Sequence, residues 1–515
     1  MKKRIVSILI VLCLLLSCLP MSAAATEEYE LYINDFQFDS DNLTYNGEKG
    51  SATYDPGSKT LTLDNLTVST HYANGIIWNG GISGLTIRIK GTVTINLLES
   101  SAYGGTDYAA AMPNFAFMLQ AATTITGASG NKDTDKIVIN STSVNNRYTA
   151  VNGFTRIGVN ATGALTLRNV TLSMTDNSAN NYAGYASLIC AGGYTLISGC
   201  KLDAQKCCQG LYMLEKASAN IEGTEFSMNL SGYSFGLNFA PSTTSYVSNC
   251  SGTINASFPL YTNGKVTVNN ANGGKLTLNG SGAAVYATAP KNSTTGGEII
   301  FQDTSIDLTS PDDTGITVGP YSSVEIQRSK VNVTAPNTCV YVDENASLSL
   351  TSGTQRTCGL YLHGTNSAAG GTIGIYTKGS VSTGGSLTGS GGRITTDNLY
   401  VAIQNVGTGS VGFYDGTHTF DATGSGYIDA GGGTLRVREN ADVTISAPVG
   451  VYLTQDKGGK FDMSGGTLNV NSSDTGLLLS SGAGQTSLTG GTLNITGGIC
   501  EGKLETGKNG KIVVT

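Results

Sequence analysis

The chain has 515 residues, with 30 Lys and Arg against 37 Asp and Glu, so its formal net charge is −7 and only 13% of its residues are charged. An acidic chain of this kind is a poor candidate for binding nucleic acid or anionic membranes, and a hydrophobic content of 39% is too high for a disordered protein. The 69 glycines and the absence of helical periodicity indicate short strands joined by sharp corners.

Residues 1–25 have the organisation of a secretory signal peptide. A charged start at residues 2–4 precedes an apolar stretch at residues 5–16 and a small-residue cleavage site at residues 23–25. A lipoprotein signal ending at Cys18 is the alternative, but Leu16 fits that motif poorly. We therefore expect export to the extracellular space or the cell surface. No later stretch reaches the roughly 18 uninterrupted apolar residues of a membrane span, so no span is expected.

Residues 26–60 are predicted to form a small, β-rich N-terminal cap. Residues 31–38 alternate as a single strand does, and residues 51–63 have the pattern of a hairpin that turns at Asp55-Pro56-Gly57. A fold built of stacked coils needs such a cap, because an open end would expose apolar core and unpaired strand edges.

A short phrase recurs through residues 61–515: a small residue, an aliphatic residue, often a tyrosine, and another aliphatic residue. The first aliphatic residues of its copies are Leu211, Leu237, Leu260, Val285, Ile316, Val340, Leu360, Val401, Val451, Leu477 and Ile499. Two gaps, on either side of Val401, have about double length, and each is predicted to hide a degenerate coil. The mean spacing of about 24 residues is typical of one turn of a β-solenoid.

A second phrase lies between these landmarks and consists of a glycine followed by strict alternation. Examples are residues 163–167, 274–278, 433–437, 466–470 and 491–495. Alternation of this kind predicts strands with one buried and one solvated face. The two phrases together predict an all-β fold, a parallel β-helix of roughly 17–19 coils. Because the chain ends at residues 511–515 inside a strand pattern, the C-terminal end is expected to be uncapped.

Part of this pattern resembles a known family. Residues 50–68, followed by Gly84-Leu-Thr-Ile and Gly91-Thr-Val-Thr-Ile, resemble a module of secreted and surface proteins of clostridia-like gut bacteria, and the match covers about residues 30–97. Those proteins are mostly uncharacterised and are predicted to be right-handed parallel β-helices. More loosely, the coils resemble the pectin-lyase-like superfamily and a clostridial group of polysaccharide-binding, calcium-coordinating β-helix proteins. The resemblance implies a right-handed parallel β-helix and a carbohydrate ligand, without specifying an activity.

The recurring tyrosine is the main candidate for ligand binding. Neighbouring side chains of a strand point to opposite faces, so inward aliphatic residues place the tyrosine outside. The predicted outward column contains Tyr212, Tyr261, Tyr286, Tyr341, Tyr361 and Tyr452. Glycines two positions earlier, at Gly210, Gly359 and Gly450, would share that face and leave the rings open to a polysaccharide. The alternative, which we favour, is that the tyrosines only stack on one another. Five residues interrupt the column, namely Asn238, Thr317, Ala402, Leu478 and Cys500.

A group of acidic residues is the only candidate metal site. Asp303, Asp307, Asp312 and Asp313 lie within one coil and its loop, and grouped carboxylates can hold calcium. The sequence of residues 311–315 is also typical of a solvated turn, and we favour that interpretation. Calcium is therefore the only cofactor considered.

Catalytic residues are not predicted. Asp312-Asp313 and His363-Gly364 resemble the paired aspartates and the His-Gly of polygalacturonases, but they lie two landmarks apart instead of one, and the upstream Asn-Thr-Asp of that family is missing. Arg88-Ile89-Lys90 matches the basic motif of polygalacturonases in its residues. It lies N-terminal to the Asp-Asp and His-Gly motifs, which is the wrong side of them for that family. A glycoside hydrolase needs two carboxylates flanking a cleft, and no such pair can be assembled.

The remaining chemically distinctive residues have structural roles as their default. Surface or ladder roles are expected for the three histidines, His71, His363 and His418. Trp78 is expected to pack against the cap rather than to bind sugar. Eight cysteines follow residue 25 and are expected to be buried small hydrophobes, with a Cys339–Cys358 disulfide left open.

These patterns favour a secreted or surface protein that binds a polysaccharide or glycan, or mediates adhesion, without catalysis. The first alternative is a pectin-lyase-like polysaccharide lyase or hydrolase. The second alternative is a purely structural stalk.

Overall fold

The computed structural model describes residues 26–70, 76–97, 115–141, 159–177, 186–272, 274–351, 359–366, 372–378, 380–383, 393–406, 408–422, 428–429, 433–453, 459–479, 486–497, 499–501 and 505–515. All regular secondary structure within these ranges is β-strand. In this part of the chain there is accordingly no α-helix with the length and apolar character of a membrane span.

Three parallel sheets form the walls of a β-helix. Each coil gives one strand to sheet 1, one to sheet 2 and one to sheet 3 in turn, and each strand hydrogen-bonds to its equivalents in the coils before and after. About seventeen coils stack in the described residues, so the rod is about 80 Å long at roughly 4.8 Å per coil. The prediction of an all-β, parallel β-helix is confirmed.

Sheet 1 follows the corner after sheet 3. It consists of β6 (Ile77–Asn79), β9 (Phe117–Leu119), β12 (Val159–Ala161), β15 (Ser187–Ala191), β18 (Gln209–Met213), β21 (Phe235–Phe239), β24 (Phe258–Thr262), β27 (Ala283–Ala287), β30 (Thr314–Val318), β33 (Thr338–Val342), β36 (Ile373–Thr377), β39 (Val401–Asn405), β42 (Ile428–Asp429), β45 (Val449–Leu453), β47 (Thr475–Leu479) and β49 (Ile499–Glu501).

Sheets 2 and 3 meet at a tight corner. Sheet 2 contains β7 (Leu85–Lys90), β10 (Thr123–Gly127), β13 (Leu165–Arg168), β16 (Tyr194–Ser198), β19 (Ser218–Glu222), β22 (Thr244–Ser248), β25 (Lys265–Asn269), β28 (Glu298–Gln302), β31 (Ser323–Gln327), β34 (Ser347–Thr351), β37 (Ser380–Thr383), β40 (Ser410–Phe413) and β43 (Thr434–Val437). Sheet 3 contains β8 (Thr92–Leu97), β11 (Lys136–Ser141), β14 (Thr171–Asp176), β17 (Lys201–Gln205), β20 (Glu225–Asn229), β23 (Ser251–Ala256), β26 (Leu276–Gly280), β29 (Ser305–Thr309), β32 (Lys330–Ala335), β35 (Gly359–Gly364), β38 (Arg393–Asp397), β41 (Thr417–Asp421) and β44 (Asp442–Ser446). Four longer strands bend through both sheets, namely β5 (Thr60–Thr70), β46 (Lys460–Asn471), β48 (Thr486–Thr496) and β50 (Glu505–Val514).

The N-terminal strands pair antiparallel and lie against the first coil. They are β1 (Glu28–Ile33), β2 (Phe36–Asp39), β3 (Thr44–Asn46) and β4 (Lys49–Asp55). The predicted hairpin is present between β4 and β5, where the Asp55 carboxylate accepts hydrogen bonds from the Gly57 amide at 3.0 Å and the Ser58 hydroxyl at 2.6 Å. Residues 31–38 are not the single strand that was predicted. They form a hairpin of β1 and β2 that turns at Asn34, whose φ is 50°.

One continuous apolar core fills the rod between the three sheets, and it extends from Leu31 to Ile495. The strands alternate buried and partly exposed residues, as in β31 and β34. At the corner between sheets 2 and 3, Asn65, Asn169 and Asn249 have φ near 50°, the left-handed conformation that Asn tolerates better than most residues. Polar corners of this kind repeat the same turn in successive coils.

Candidate functional site

The hydrogen-bond register of sheet 1 places five of the six predicted tyrosines in one outward column. Successive positions of this column are Trp78, Met118, Asn160, Cys190, Tyr212, Asn238, Tyr261, Tyr286, Thr317, Tyr341, Tyr376, Gln404, Asp429, Tyr452, Leu478 and Glu501. Near the C-terminal end the register differs from the prediction, because Gln404 and Glu501 occupy the positions expected for Ala402 and Cys500. The predicted hidden coils are present, since β36 and β42 fill the two long gaps.

Tyr361 does not belong to this column, and its predicted placement is wrong. It lies on β35 in sheet 3, where it pairs with Asn332 and Thr395. The residue that stacks on Tyr341 is Tyr376, from the phrase at residues 373–377. The two phrases look alike because strands of sheets 1 and 3 both place aliphatic residues inward on either side of an outward position.

The predicted outward glycine column does not exist. Gly210 and Gly450 are buried, and a methyl group added at Gly450 would overlap the side chain of Val470 inside the rod. The chain turns the corner from sheet 3 to sheet 1 at this position, so the pairing register skips the glycine and strict alternation fails there. These glycines allow close packing at the corner, and because they are buried they open no space on the outer face.

Four tyrosine rings of the column contact one another in pairs, and all four are half-buried. Tyr341 and Tyr376 stack in parallel, with centroids 5.4 Å apart and planes 8° apart. Tyr261 and Tyr286 meet edge to face at 5.5 Å, and burial raises the pKa of Tyr261. Rings stacked along the rod present their edges outward, which agrees with the interpretation of a structural ladder.

A cluster of aromatic residues on the outer face of sheet 1 has a different geometry. Phe235 and Phe258 stack on each other at 5.4 Å, and Phe258 contacts Tyr286 at 5.6 Å. Tyr233 lies 5.3 Å from both phenylalanine rings and nearly perpendicular to them, at 84° and 72°. Tyr233 is nevertheless 73% exposed. We call Tyr233, Phe235, Phe258, Tyr261 and Tyr286 the aromatic cluster.

The sequence contained a signal for this cluster that the tyrosine phrase obscured. Phe235 and Phe258 each stand two residues before a landmark, at Leu237 and Leu260, and they are paired across β21 and β24. Gly282 follows in the next coil, and its missing side chain makes room for the Phe258 ring. Two aromatic residues at one repeat position therefore predict a stacked pair, which then supports the exposed Tyr233.

A groove of about 350 Å³ adjoins the cluster at the corner between sheets 3 and 1. It is lined by Leu230, Gly232, Ser234, Asn255, Ala256, Ser257, Asn279, Ser281 and Pro311. Gly232 and Ser234 are the chain neighbours of Tyr233, so the groove and the exposed ring are adjacent. The Asn279 side chain donates to the Asn255 side-chain oxygen at 2.8 Å, and the Ser257 hydroxyl donates to the Gly232 carbonyl at 2.8 Å. Amides and hydroxyls beside an open ring form a surface suited to a polyhydroxylated ligand.

In the predicted calcium site, Asp303 and Asp307 have separate partners. Arg328 holds Asp303 through two hydrogen bonds of 2.7 Å and lowers the pKa of that carboxyl. Burial tends to raise the pKa of Asp307, but hydrogen bonds from Asn332 and Lys275 outweigh it and lower the pKa. Asp312 and Asp313 lie in the exposed loop between β29 and β30. No group of three or more His, Cys, Asp or Glu side chains in the described ranges is arranged to hold a metal ion. The structure therefore does not bring three or more of these aspartates together.

The histidines and the tryptophan occupy three kinds of position. His363 on β35 faces outward and contacts the Asp397 carboxylate at 3.1 Å. His418 on β41 is fully buried in the core, and burial lowers its pKa to about 4. His71 lies outside the described residues. Trp78 stacks on Tyr32 of the cap at 4.7 Å, which confirms its predicted packing role.

The cysteines that the structure describes with their side chains are buried. They are Cys190, Cys200, Cys207, Cys208, Cys250 and Cys339. Burial raises the pKa of Cys339 to about 12. Cys339 is the second residue of β33 in sheet 1. The second residue of each neighbouring strand, β30 and β36, is a glycine. Cys358 lies outside the described residues, and so does the disulfide considered for it.

A second cavity, of about 500 Å³, lies near the N-terminal coils and contains the basic motif at residues 88–90. Two of its charged groups have partners, since Lys90 pairs with Asp64 at 2.7 Å and Asp135 accepts hydrogen bonds from Ser129. Arg88 lies on β7, far along the rod from His363 on β35. The polygalacturonase-like residues are therefore not brought together.

Comparison of the chain with models of protein families, with curated proteins and with solved structures finds no match.

Proposed function

We propose that this protein is an exported bacterial protein that binds glycans without modifying them, and that the aromatic cluster is its contact surface. The observation that carries the proposal is the exposed ring of Tyr233, which is 73% exposed and is held on one side by Phe235 and Phe258. A ring fixed in this way can stack on the C–H face of a sugar with little loss of conformational entropy.

Its neighbourhood supports this use of the ring. Tyrosine combines a large contact area with few rotatable bonds, and its hydroxyl group hydrogen-bonds to polar ligands. The adjoining groove adds amide and hydroxyl groups, and none of its lining residues is ionisable. Glycoside hydrolysis requires a pair of carboxyl groups beside the substrate, and the groove supplies none, which supports binding rather than hydrolysis.

Export and adhesion belong to the same proposal. The signal-like sequence of residues 1–25 supports export. A rigid rod about 80 Å long would present the cluster at a distance from an attached end, which suits adhesion to a glycan surface.

A glycan array followed by affinity electrophoresis tests the proposal. We expect the protein to be retarded by at least one polysaccharide, and Tyr233→Ala to weaken binding at least about tenfold, as loss of a central aromatic contact does. Tyr246→Ala is the matched control, because Tyr246 is 51% exposed on sheet 2, away from the cluster.

Three results would count against the proposal. Absence of binding across the array would favour a structural stalk. Equal binding by wild type and Tyr233→Ala would remove the cluster from the site. Release of reducing ends or unsaturated uronides from a bound polysaccharide would show catalysis.

A further inference from the structure

The chemistry of the groove beside Tyr233 specifies its ligand more narrowly than the aromatic ring does. The side-chain polar groups of the groove belong to Ser234, Asn255, Ser257, Asn279 and Ser281. These groups carry no charge at any physiological pH, and the nearest acidic residue in the chain, Asp312, follows the lining residue Pro311. An acidic ligand would therefore find no cation in the groove, and it would meet a negative charge at one end.

Two asparagine side chains in the groove use only part of their hydrogen-bonding capacity within the protein. The Asn279 nitrogen donates to the Asn255 oxygen at 2.8 Å. Within the described residues, the Asn255 side-chain nitrogen and the Asn279 side-chain oxygen have no hydrogen-bond partner. One donor and one acceptor thus remain on adjacent coils, whose strands are roughly 4.8 Å apart. A pair of hydroxyl groups on one sugar ring matches this arrangement, because each hydroxyl both donates and accepts.

The serines extend the same pattern along the rod. Ser281 donates to the Ser257 hydroxyl at 3.4 Å, and Ser257 donates in turn to the Gly232 carbonyl. Their positions in three successive coils make the groove run parallel to the rod axis. From Gly232 to Pro311 it crosses four coils, or about 14 Å. The coil spacing is close to the repeat of an extended sugar chain, so about three sugar rings fit.

A peptide strand is a poorer occupant of this groove. Peptides that add to a β-sheet need a free strand edge. Here β20, β23 and β26 hydrogen-bond to neighbours on both sides, so none offers one.

We infer that the groove binds an uncharged glycan chain lying along the rod axis, and that Asn255 and Asn279 select its hydroxyl pattern. This inference rests on the proposed function, because it uses the same site. It adds the class of glycan, the direction of the chain and two specificity-determining residues. Binding by uncharged partners is insensitive to ionic strength, which separates this ligand class from acidic polysaccharides.

The test is isothermal titration or affinity electrophoresis of the full chain with two sets of probes at pH 7.5. The neutral set is mannan, mixed-linkage β-glucan, xyloglucan and galactan, and the acidic set is polygalacturonate, alginate and chondroitin sulfate. We expect binding to at least one neutral polysaccharide, changed less than about twofold between 50 and 500 mM NaCl.

Variants locate the neutral ligand in the groove. Asn255→Ala and Asn279→Ala are each expected to weaken neutral binding roughly 5- to 100-fold, as loss of one or two hydrogen bonds does. Asn494→Ala is the matched control. Asn494 donates to the Asn469 oxygen at 2.7 Å in an equivalent amide ladder near the C-terminal end of the rod.

The outcomes separate this inference from the proposed function. If only acidic polysaccharides bind, in a salt-sensitive way, and Tyr233→Ala abolishes this binding, the inference that the ligand is uncharged is wrong. The site at Tyr233 would still stand. Binding of a neutral polysaccharide that needs Tyr233 but is unchanged in both asparagine variants would show that the groove is not the binding site, while the contact with Tyr233 would stand. Binding of no polysaccharide would overturn both.

Discussion

His418 gives this protein a dependence of stability on pH that can be calculated from its surroundings. The ring lies in the core against Phe413, at a centroid distance of 5.0 Å. The Ile394 backbone amide donates to Nδ1 at 3.3 Å, so Nδ1 is the acceptor, and Nε2–H donates to the Asp415 carbonyl at 2.9 Å. The core therefore holds the neutral imidazole. A proton added at Nδ1 would face the Ile394 N–H.

The direction in which stability changes with pH follows from the pKa of His418 in the unfolded and in the folded chain. Burial lowers the pKa of His418 from 6.5 to about 4, against weaker opposite effects of Asp415 and Asp442. Above pH 6.5 neither the folded nor the unfolded chain protonates this residue. As the pH falls, the unfolded chain takes up the proton first, so stability is lost between pH 6.5 and about 4. The loss is about 2 kcal/mol at pH 5 and about 3 kcal/mol once the pH is below 4.

Two controls isolate this contribution. Between pH 7.5 and 5.0, His418→Leu should show little of the loss, although it should be less stable than wild type by about 1–3 kcal/mol at pH 7.5 because the Ile394 amide loses its partner. His363→Gln removes the outward-facing imidazole and its 3.1 Å contact with Asp397, and so separates any contribution of that pair from that of His418. Carboxylates with lowered pKa values, such as Asp303, act in the same direction but mostly below this window.

Amide hydrogen exchange is the appropriate assay, because stacked coils can unfold stepwise and a single midpoint then has no clear meaning. After correction for the intrinsic exchange rate, peptides covering β38, β41 and β44 should lose about 30-fold in protection between pH 7.5 and 5.0 in wild type. Peptides covering β22 to β31 serve as the internal reference. An equal loss of protection in wild type and His418→Leu would refute the reasoning.

Three further substitutions or treatments test the packing. Gly236→Ala should destabilise the neighbouring coils by about 1–3 kcal/mol in urea unfolding, because the added methyl group would overlap a backbone carbonyl. Gly57→Ala is the control. Its methyl group would meet only one side-chain atom, so the substitution should be nearly neutral. Cys339 should stay unmodified by iodoacetamide at pH 8 in the folded protein and react after unfolding, because burial raises its pKa to about 12. Tyr32→Ala should shift the fluorescence of Trp78, the only tryptophan, and destabilise the cap by about 1 kcal/mol.

The spacing of the repeat was sufficient to predict the architecture. A chain that repeats an alternating phrase at a nearly constant interval can bury every copy only by stacking coils, and each coil then repeats the same corner. Local turns were predictable where they carried strong signals, as at Asp55-Pro56-Gly57. The turn at Asn34-Asp35 has neither Gly nor Pro, so the alternation on both sides of it looked continuous. The hand of the helix stays a prediction.

The site was less predictable because alternation indicates which residues face outward but not which sheet they occupy. Tyr361 and Tyr376 stand in nearly identical phrases, and only the stacking register separates sheet 3 from sheet 1. One sequence signal did indicate that Tyr361 lies outside sheet 1. The step from Val340 to Leu360, about 20 residues, was the shortest between landmarks. The exposure of Tyr233 depends on a loop conformation and on two phenylalanines from neighbouring coils, which no single phrase contains.

The same register allows a direct comparison between a local site and a ligand that follows the whole tyrosine column. Tyr341 and Tyr376 lie in that column, separated from the aromatic cluster by Thr317. Their parallel stacking turns the faces of the rings toward each other. A glycan bound along the column would lose contacts in Tyr341→Ala and Tyr376→Ala, and its affinity would fall as it does in Tyr233→Ala.

A local site predicts the opposite result. Each coil of a solenoid contacts only its neighbours, so Tyr341→Ala should loosen the coils around β33 and leave the cluster intact. Affinity should then stay within about twofold of wild type, while hydrogen exchange increases in β33 and β36. A loss of affinity in Tyr341→Ala comparable to that in Tyr233→Ala, with exchange unchanged around β24, would show that the ligand extends along the column and would restore the continuous tyrosine ladder as the binding surface.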